Sequence, residues 1–342
     1  MRLDRMITVV GAHAEGDVGR VITGGFNPPR APSMFQRMEA MERGHDWLRR
    51  LMLSDPRGSV NCAVNLLMPP IREDADIGMI VMEPDYYVPM SGGNLICTVT
   101  VALETGFIPM REPQTVVRVD TPAGLVEAVC DCADGRCRRV SFRNVPSFVM
   151  HRDAHVEVEG IGTLRADVAY GGMIYCMIDA GDVGSALARD EARDLVHLGE
   201  RIKAAAAVQL PCAHPENPQI HTINQVLFAG PIRSEGGVKR SRNTVVVSPG
   251  RLDRCPCGTG TSARLALLHA RGEIATGETF IHESIIDTEF HSRVVDSATV
   301  GGGPAVVPEV SGRAWLTGIS QYGVDPDDPF PEGYRLNDTW FA

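Results

Sequence analysis

The chain has 342 residues, 44% hydrophobic and 22% charged, with 43 acidic against 33 basic side chains and a formal net charge of -10. That length favours two domains of ordinary size, and an acidic balance with no basic face argues against nucleic acid as a partner. The opening MRLDRMITVVGAHAEGD has too short an apolar run for a signal sequence, no stretch approaches a membrane span, and nine cysteines suit reduced thiols; a soluble, cytoplasmic protein with no membrane contact is expected.

Short Val- and Ile-rich segments bounded by Gly, Pro or Asp read as strands at MITVV from Met6 and GRVITGG from Gly19. The amphipathic PSMFQRMEAMERGHDWLRRLML then predicts one surface helix from about Pro32. SVNCAVNLLM from Ser59 and IGMIVME from Ile77 are again strand-like. Ser91-Gly92-Gly93-Asn94 opens LICTVTVAL, which is apolar nearly all round and therefore suits a buried helix. TVVRVDT from Thr115 and RRVSFRNV from Arg138 continue the strands. Between them VCDCADGRCRRV places Cys130, Cys132 and Cys137 around a hairpin turn, in a spacing that fits no paired zinc motif. The passage Asn144 to Val156 reads as the boundary, dividing the chain into 1–148 and 149–317. DVAYGGMIYCMID from Asp167 is a strand, DEARDLVHLGERIKAAAAVQL from about Asp190 a second surface helix, and NQVLFAG and NTVVVSP further strands. DRCPCGTGTSARLALLHARG then repeats the buried-helix pattern, with Asp253 and Cys257 at its start. The tail from Trp315 holds two strand-like fragments and an Asp/Pro cluster, and residues from about 318 to 342 are expected to pack back on the first half. The fold class is α+β: two pseudo-symmetric halves, each a curled sheet around a buried central helix with another helix outside.

The duplication carries the chemistry. In both halves a nucleophile-type side chain precedes a glycine-rich turn and an apolar helix that stops at a glycine 15 positions on, 91 to 106 and 257 to 272. Helix N-termini present unpaired N–H groups and a positive dipole end, so each suits a small anion. A thiol at Cys257 would have its thiolate stabilised there and could act as base or nucleophile near neutral pH. Asp253, four residues earlier, could bind an ammonium or ring nitrogen, or simply serve a turn. Ser91 is a weaker base than a thiolate, and serine is also a leading N-cap type. His13, His221 and His282 could line a pocket, but no motif assigns them catalysis. No HExxH, P-loop or dinucleotide fingerprint is present.

These segments resemble the proline racemase family, which includes 4-hydroxyproline 2-epimerases and trans-3-hydroxy-L-proline dehydratases. DRCPCGTGTSARLALLHARGEI is similar to its second active-site motif, PMSGGNLICTVTVALETG to its first, IHESIIDTEFHSRV to the strand pair that follows, and GRAWLTGISQYGVDPDDPF to its C-terminal signature. The resemblance implies a diaminopimelate-epimerase-like fold with the site in the cleft between the halves, a hydroxyproline-type small-molecule substrate, no cofactor and no metal, and it leaves room for a homodimer. It implies that Cys257 is one acid/base residue, that Asp253 contacts the substrate nitrogen, and that Gly258 and Thr259 hold its carboxylate. Gly92 is retained, but Ser91 stands where racemases and epimerases have cysteine, and Gly93 where many have histidine.

Two-base racemisation needs acid and base of comparable strength, and a hydroxyl opposite a thiol unbalances them. Serine at this position is, by the same resemblance, typical of the dehydratases. The expected reaction is therefore dehydration of trans-3-hydroxy-L-proline to Δ1-pyrroline-2-carboxylate. Ser91 and Cys257 are expected to be catalytic, and the backbone groups of Gly92, Gly93, Gly258 and Thr259 to bind the carboxylate. The alternatives are a 4-hydroxyproline 2-epimerase or proline racemase, a small-molecule binder without catalysis, and a cysteine hydrolase.

Overall fold

Strands β1 (Met6–Ala14) and β2 (Asp17–Gly24) alternate buried and less buried residues, the mark of sheets with one face on a core. The computed structural model describes residues 3–340. After β2 come α1 (Met34–Gly44), α2 (Trp47–Leu53), β3 (Cys62–Met68), β4 (Ile77–Met82), β5 (Tyr87–Val88) and α3 (Gly92–Glu104). The hairpin strands β6 (Gln114–Thr121), β7 (Gly124–Ala133) and β8 (Arg136–Arg143) close this stretch. The next stretch runs β9 (Phe148–Val158), β10 (Gly162–Tyr170), β11 (Ile174–Asp179), α4 (Ala192–Gln209), β12 (Gln225–Ala229), β13 (Arg233–Glu235) and β14 (Val238–Val247). It continues with β15 (Arg251–Leu252), α5 (Gly258–Ala270), β16 (Phe280–Glu283), β17 (Glu289–Val300) and β18 (Gly303–Gly312), before β19 (Ala314–Gly323) ends the order.

By internal contacts the chain forms two units, one running to Phe142 and resumed from Gly312, the other Arg143–Ser311. In the first, the strands pair in the order β19-β1-β2-β3-β4-β6-β7-β8; in the second, β9-β10-β11-β12-β14-β16-β17-β18. Read along either series, the pairings are antiparallel, antiparallel, parallel, antiparallel, parallel, antiparallel, antiparallel. The two units thus share one topology, and β19 supplies to the first the strand that β9 supplies to the second. The surface helices fall at equivalent places, α1 and α2 between β2 and β3, α4 between β11 and β12.

In the first unit β3 and β4 are buried along their whole length, because α1 and α2 cover one face and α3 the other. Helix α3 has no charged residue before Glu104 and is buried from Gly92 to Leu103. Helix α5 is buried from Gly258 to Leu268, and its Ala263 and Leu267 pack on Leu227, Val245 and Tyr175. Each fully buried Leu contributes about 1.5–3 kcal/mol. Both helices end at a glycine with positive φ, Gly106 at 79° and Gly272 at 71°, whose N–H groups return to Leu103 and His269.

Several expectations change in detail. The single helix from Pro32 is two, because Gly44 ends α1, His45 leaves helical geometry, and Asp46 begins α2 with its carboxylate on Arg49 and Arg50. DVAYGGMIYCMID is two strands, turning at Gly171-Gly172. Much of the passage Asn144 to Val156, read as the boundary, is strand, since Phe148–Val158 form β9. The passage between units lies at 142/143 rather than 148/149, since Asn144 is already tied to the second unit through Gly171 and Ser262. The three cysteines flank the hairpin turn of β7 and β8, where Asp134 and Gly135 take positive φ and Cys132 pairs with Cys137 across the strands.

Candidate active site

Cys257 is the N-cap of α5 and holds φ 64° and ψ 110°, a conformation uncommon for a residue with a side chain. Its Sγ accepts the Gly260 N–H at 3.4 Å, and its own N–H is donated to Cys255 Sγ at 3.3 Å. The strained turn thereby aims the sulfur over the open end of the helix. Gly258 and Thr259, the first two helical residues, have N–H groups with no acceptor inside the helix. They are the backbone donors assigned to a carboxylate in the sequence.

Burial, and then the negative charge of nearby Asp253, push the Cys257 thiol well above its ordinary range; the Tyr175 hydroxyl and the Gly260 N–H act the other way. The helix terminus alone therefore does not produce a resting thiolate, contrary to the sequence expectation, because desolvation and a like charge outweigh it. Asp253 itself is buried, its N–H bonded to Val245 O at 2.9 Å and its carboxylate 3.3 Å from the buried Arg251 guanidinium.

The turn between β10 and β11 abuts this helix end. A Cβ on Gly171 would lie 2.2 Å from Thr259 O and 2.5 Å from Ala263 N, both backbone atoms that cannot swing aside. Gly171→Ala is expected to displace the first turn of α5, with a loss of about 1–3 kcal/mol measured by urea denaturation and a fall in any Cys257-dependent activity.

Ser91 is the N-cap of α3, with Gly92 and Gly93 opening the helix, but its side chain does not cap it. Instead Asn94 Nδ2 donates to Ser91 Oγ at 2.9 Å, while Asn65 Nδ2, from β3, donates to Asn94 Oδ1 at 3.0 Å. Ser91 Oγ thus has a lone pair occupied, while the Ser91 carbonyl accepts the Leu95 N–H at 2.9 Å.

Tyr175, Asn65, Asn94 and Arg251 were not singled out in the sequence. Asn65 and Tyr175 did leave a signal: each is a polar tip inside an otherwise apolar strand, where such groups require partners. Of the histidines, His13 stacks on Trp315 at 5.2 Å and accepts the Gly16 N–H, and His221 is exposed beside Thr222. His282 is fully buried and lies 2.8 Å from Thr261 Oγ1, whose hydroxyl is 3.3 Å from Pro256 O; burial, then the Arg264 charge, keep its imidazole neutral. Among the described residues no three His, Cys, Asp or Glu side chains converge as a metal site, and no helix is long and apolar enough to cross a membrane.

The sequence pattern of the family described as proline racemase matches residues 9–335. This chain belongs to the proline racemase family. A hydroxyproline epimerase from Agrobacterium vitis, solved with bound trans-4-OH-L-proline, is 38% identical with a TM-score of 0.93, over 100% of this chain and 98% of that one. A probable proline racemase from Agrobacterium radiobacter, solved with bound carbonate, is 37% identical with a TM-score of 0.92, over 98% of each. A Bacillus anthracis phenazine biosynthesis protein of the PhzF family shares the fold at 13% identity and a TM-score of 0.58, over 94% of this chain and 100% of that one. The chain is thus an enzyme of the proline racemase family with an α+β, epimerase-type fold.

Proposed function

We propose that this proline racemase family enzyme dehydrates trans-3-hydroxy-L-proline to Δ1-pyrroline-2-carboxylate. Cys257 takes the α proton, and the electrons of that C–H bond form the ring double bond as the C3–O bond breaks. The α hydrogen and the hydroxyl lie on one ring face, so Cys257 passes the proton it has taken to the departing oxygen, which leaves as water and restores the starting sulfur; the enamine then tautomerises to the cyclic imine. The substrate carboxylate is held by the N–H groups of Gly258 and Thr259 at the start of α5, and the ring nitrogen by Asp253. Preorganised donors of this kind are worth about 3 kcal/mol each where charge develops.

The observation that carries this reading is the setting of Ser91. Its Oγ accepts from an amide N–H, which can donate but cannot accept a proton, so that contact does not make Ser91 a base. A hydroxyl so engaged lacks the base strength for proton abstraction from the second face of a racemase substrate. The resting thiol is consistent with a base switched on by substrate: a ring ammonium paired with Asp253 removes the like charge that holds the Cys257 proton.

Epimerisation of 4-hydroxyproline is the second reading, favoured by the 38% identity to the Agrobacterium vitis epimerase. Proton NMR in D2O with trans-3-hydroxy-L-proline and, in a parallel tube, trans-4-hydroxy-L-proline separates them. Loss of the 3-hydroxy signals with appearance of the pyrroline product is expected. Deuterium entering the α position of the 4-hydroxy compound with a new diastereomer, and no change in the 3-hydroxy tube, would overturn the dehydratase in favour of the epimerase. Under the dehydratase reading, Ser91→Cys is expected to gain α-deuterium exchange with the 4-hydroxy compound, because it places a second thiol where the two-base pattern requires one.

A further inference from the structure

Tyr175 enters β11 one residue from its start, in a strand whose six residues include five that are fully buried. Its ring packs among Leu227, Val245 and Leu267, yet its hydroxyl ends on two polar atoms of the α5 turn: Cys257 Sγ at 3.3 Å and Thr259 Oγ1 at 2.6 Å. A tyrosine that serves only packing does not need its oxygen there, and phenylalanine would fill the same space. Burial holds the phenol protonated, so it has one proton and two neighbours to give it to.

The three atoms form a small relay. With Cys257 neutral, the tyrosine donates along its short contact to Thr259. Once the sulfur has lost its proton, the strongest arrangement turns both hydroxyls toward it, Thr259 O–H to the tyrosine oxygen and the tyrosine O–H to sulfur, since hydrogen bonds to charged acceptors are the stronger ones. No atom leaves and none is oxidised; two O–H bonds rotate. The other groups that face the sulfur are the Gly260 N–H from α5, and Asp253 with its Arg251 partner and Cys255 from the preceding loop, while β12 and β14 present the apolar Leu227 and Val245. Tyr175 is therefore the nearer of two hydroxyls at the sulfur, Thr259 Oγ1 standing at 3.9 Å, in a setting otherwise hostile to negative charge.

We propose that Tyr175 is a positioning residue of the reaction, its hydroxyl, backed by Thr259, holding the Cys257 sulfur and stabilising it as the thiolate before it accepts the substrate proton. This rests on the reading in which Cys257 is the base, but on no particular substrate. The test is an ultraviolet titration of the Cys257 thiolate in the full-length enzyme, with the spectrum of Cys257→Ser in the same background subtracted. Tyr175→Phe is expected to raise the midpoint by about one to two pKa units, the worth of a lost hydrogen bond to a charged group. Thr259→Val is expected to raise it by less. A rise in the midpoint leaves fewer ionised sulfurs at any pH below it, so kcat at neutral pH should fall about tenfold or more while KM changes little. A merely structural tyrosine would move melting temperature and not the midpoint. An unmoved or lowered midpoint in Tyr175→Phe overturns the assignment. Should that variant fail to fold by circular dichroism, an unmoved midpoint in Thr259→Val does the same. Because no substrate enters the titration, a shifted midpoint in an enzyme that leaves trans-3-hydroxy-L-proline untouched would convict the dehydratase reading alone.

Discussion

Cys257→Ser is expected to reduce turnover by about a thousandfold or more while leaving the fold in place. The sulfur is the one atom of the second unit that combines an N-cap position, a hydroxyl donor and a nearby carboxylate, and general-base steps contribute about 10²–10⁴ in rate. A serine hydroxyl in the same place cannot hold a proton taken from carbon, because its conjugate base is far less stable than a thiolate. Serine is, however, a good N-cap, so the bond from the Gly260 N–H is replaced rather than lost. The melting temperature should therefore move by only a few degrees, about the effect of 1 kcal/mol or less. Steady-state assay on trans-3-hydroxy-L-proline and a thermal melt on the same preparation check both halves. Retention of most activity would falsify the role given to Cys257.

The duplication was legible because both central helices obey the same local rules. An apolar run without a polar face has to be covered on all sides, a glycine must take the positive φ after it, and Ser91 and Cys257 occupy the same N-cap position in each. What the sequence did not disclose lies in long-range pairing. The tail was expected to return to the first half, but nothing in AWLTGISQYG says that it pairs there with β1, because a strand's partner is chosen by tertiary packing and not by its own composition. The same holds at the site. Ser91 was read as catalytic, with a plain cap as the alternative, and only the fold places Asn65 on β3 beside Asn94 on α3, whose amide donates to the Ser91 oxygen. Cys257 looked like a ready thiolate, since the helix end is visible in the sequence whereas its burial and the closeness of Asp253 are properties of the fold.

Asp253→Asn is expected to act on Cys257 and on the substrate in opposite directions. The carboxylate is the second cause, after burial, that holds the thiol above its ordinary range, so its neutralisation lowers the Cys257 midpoint and more thiolate forms at neutral pH. If thiolate supply alone governed the rate, the variant would be faster. Yet the asparagine no longer offers a negative charge to a ring ammonium, and removing one partner of a buried charge pair costs about 2–5 kcal/mol. The measured kcat/KM should fall by about 10²–10³, most of it in KM, even as the thiolate absorbance appears at lower pH. The Arg251 guanidinium keeps an acceptor, because the asparagine side-chain oxygen can occupy the place of the carboxylate oxygen now 3.3 Å away, so a stability loss of about 1–3 kcal/mol accompanies the change without unfolding the unit. A variant in which both the midpoint and kcat/KM stay at their original values would mean that Asp253 serves only the turn before α5. A lowered midpoint with unchanged KM would keep its electrostatic hold on Cys257 but remove it from the substrate, and the ring nitrogen would then need another partner among the residues around α5.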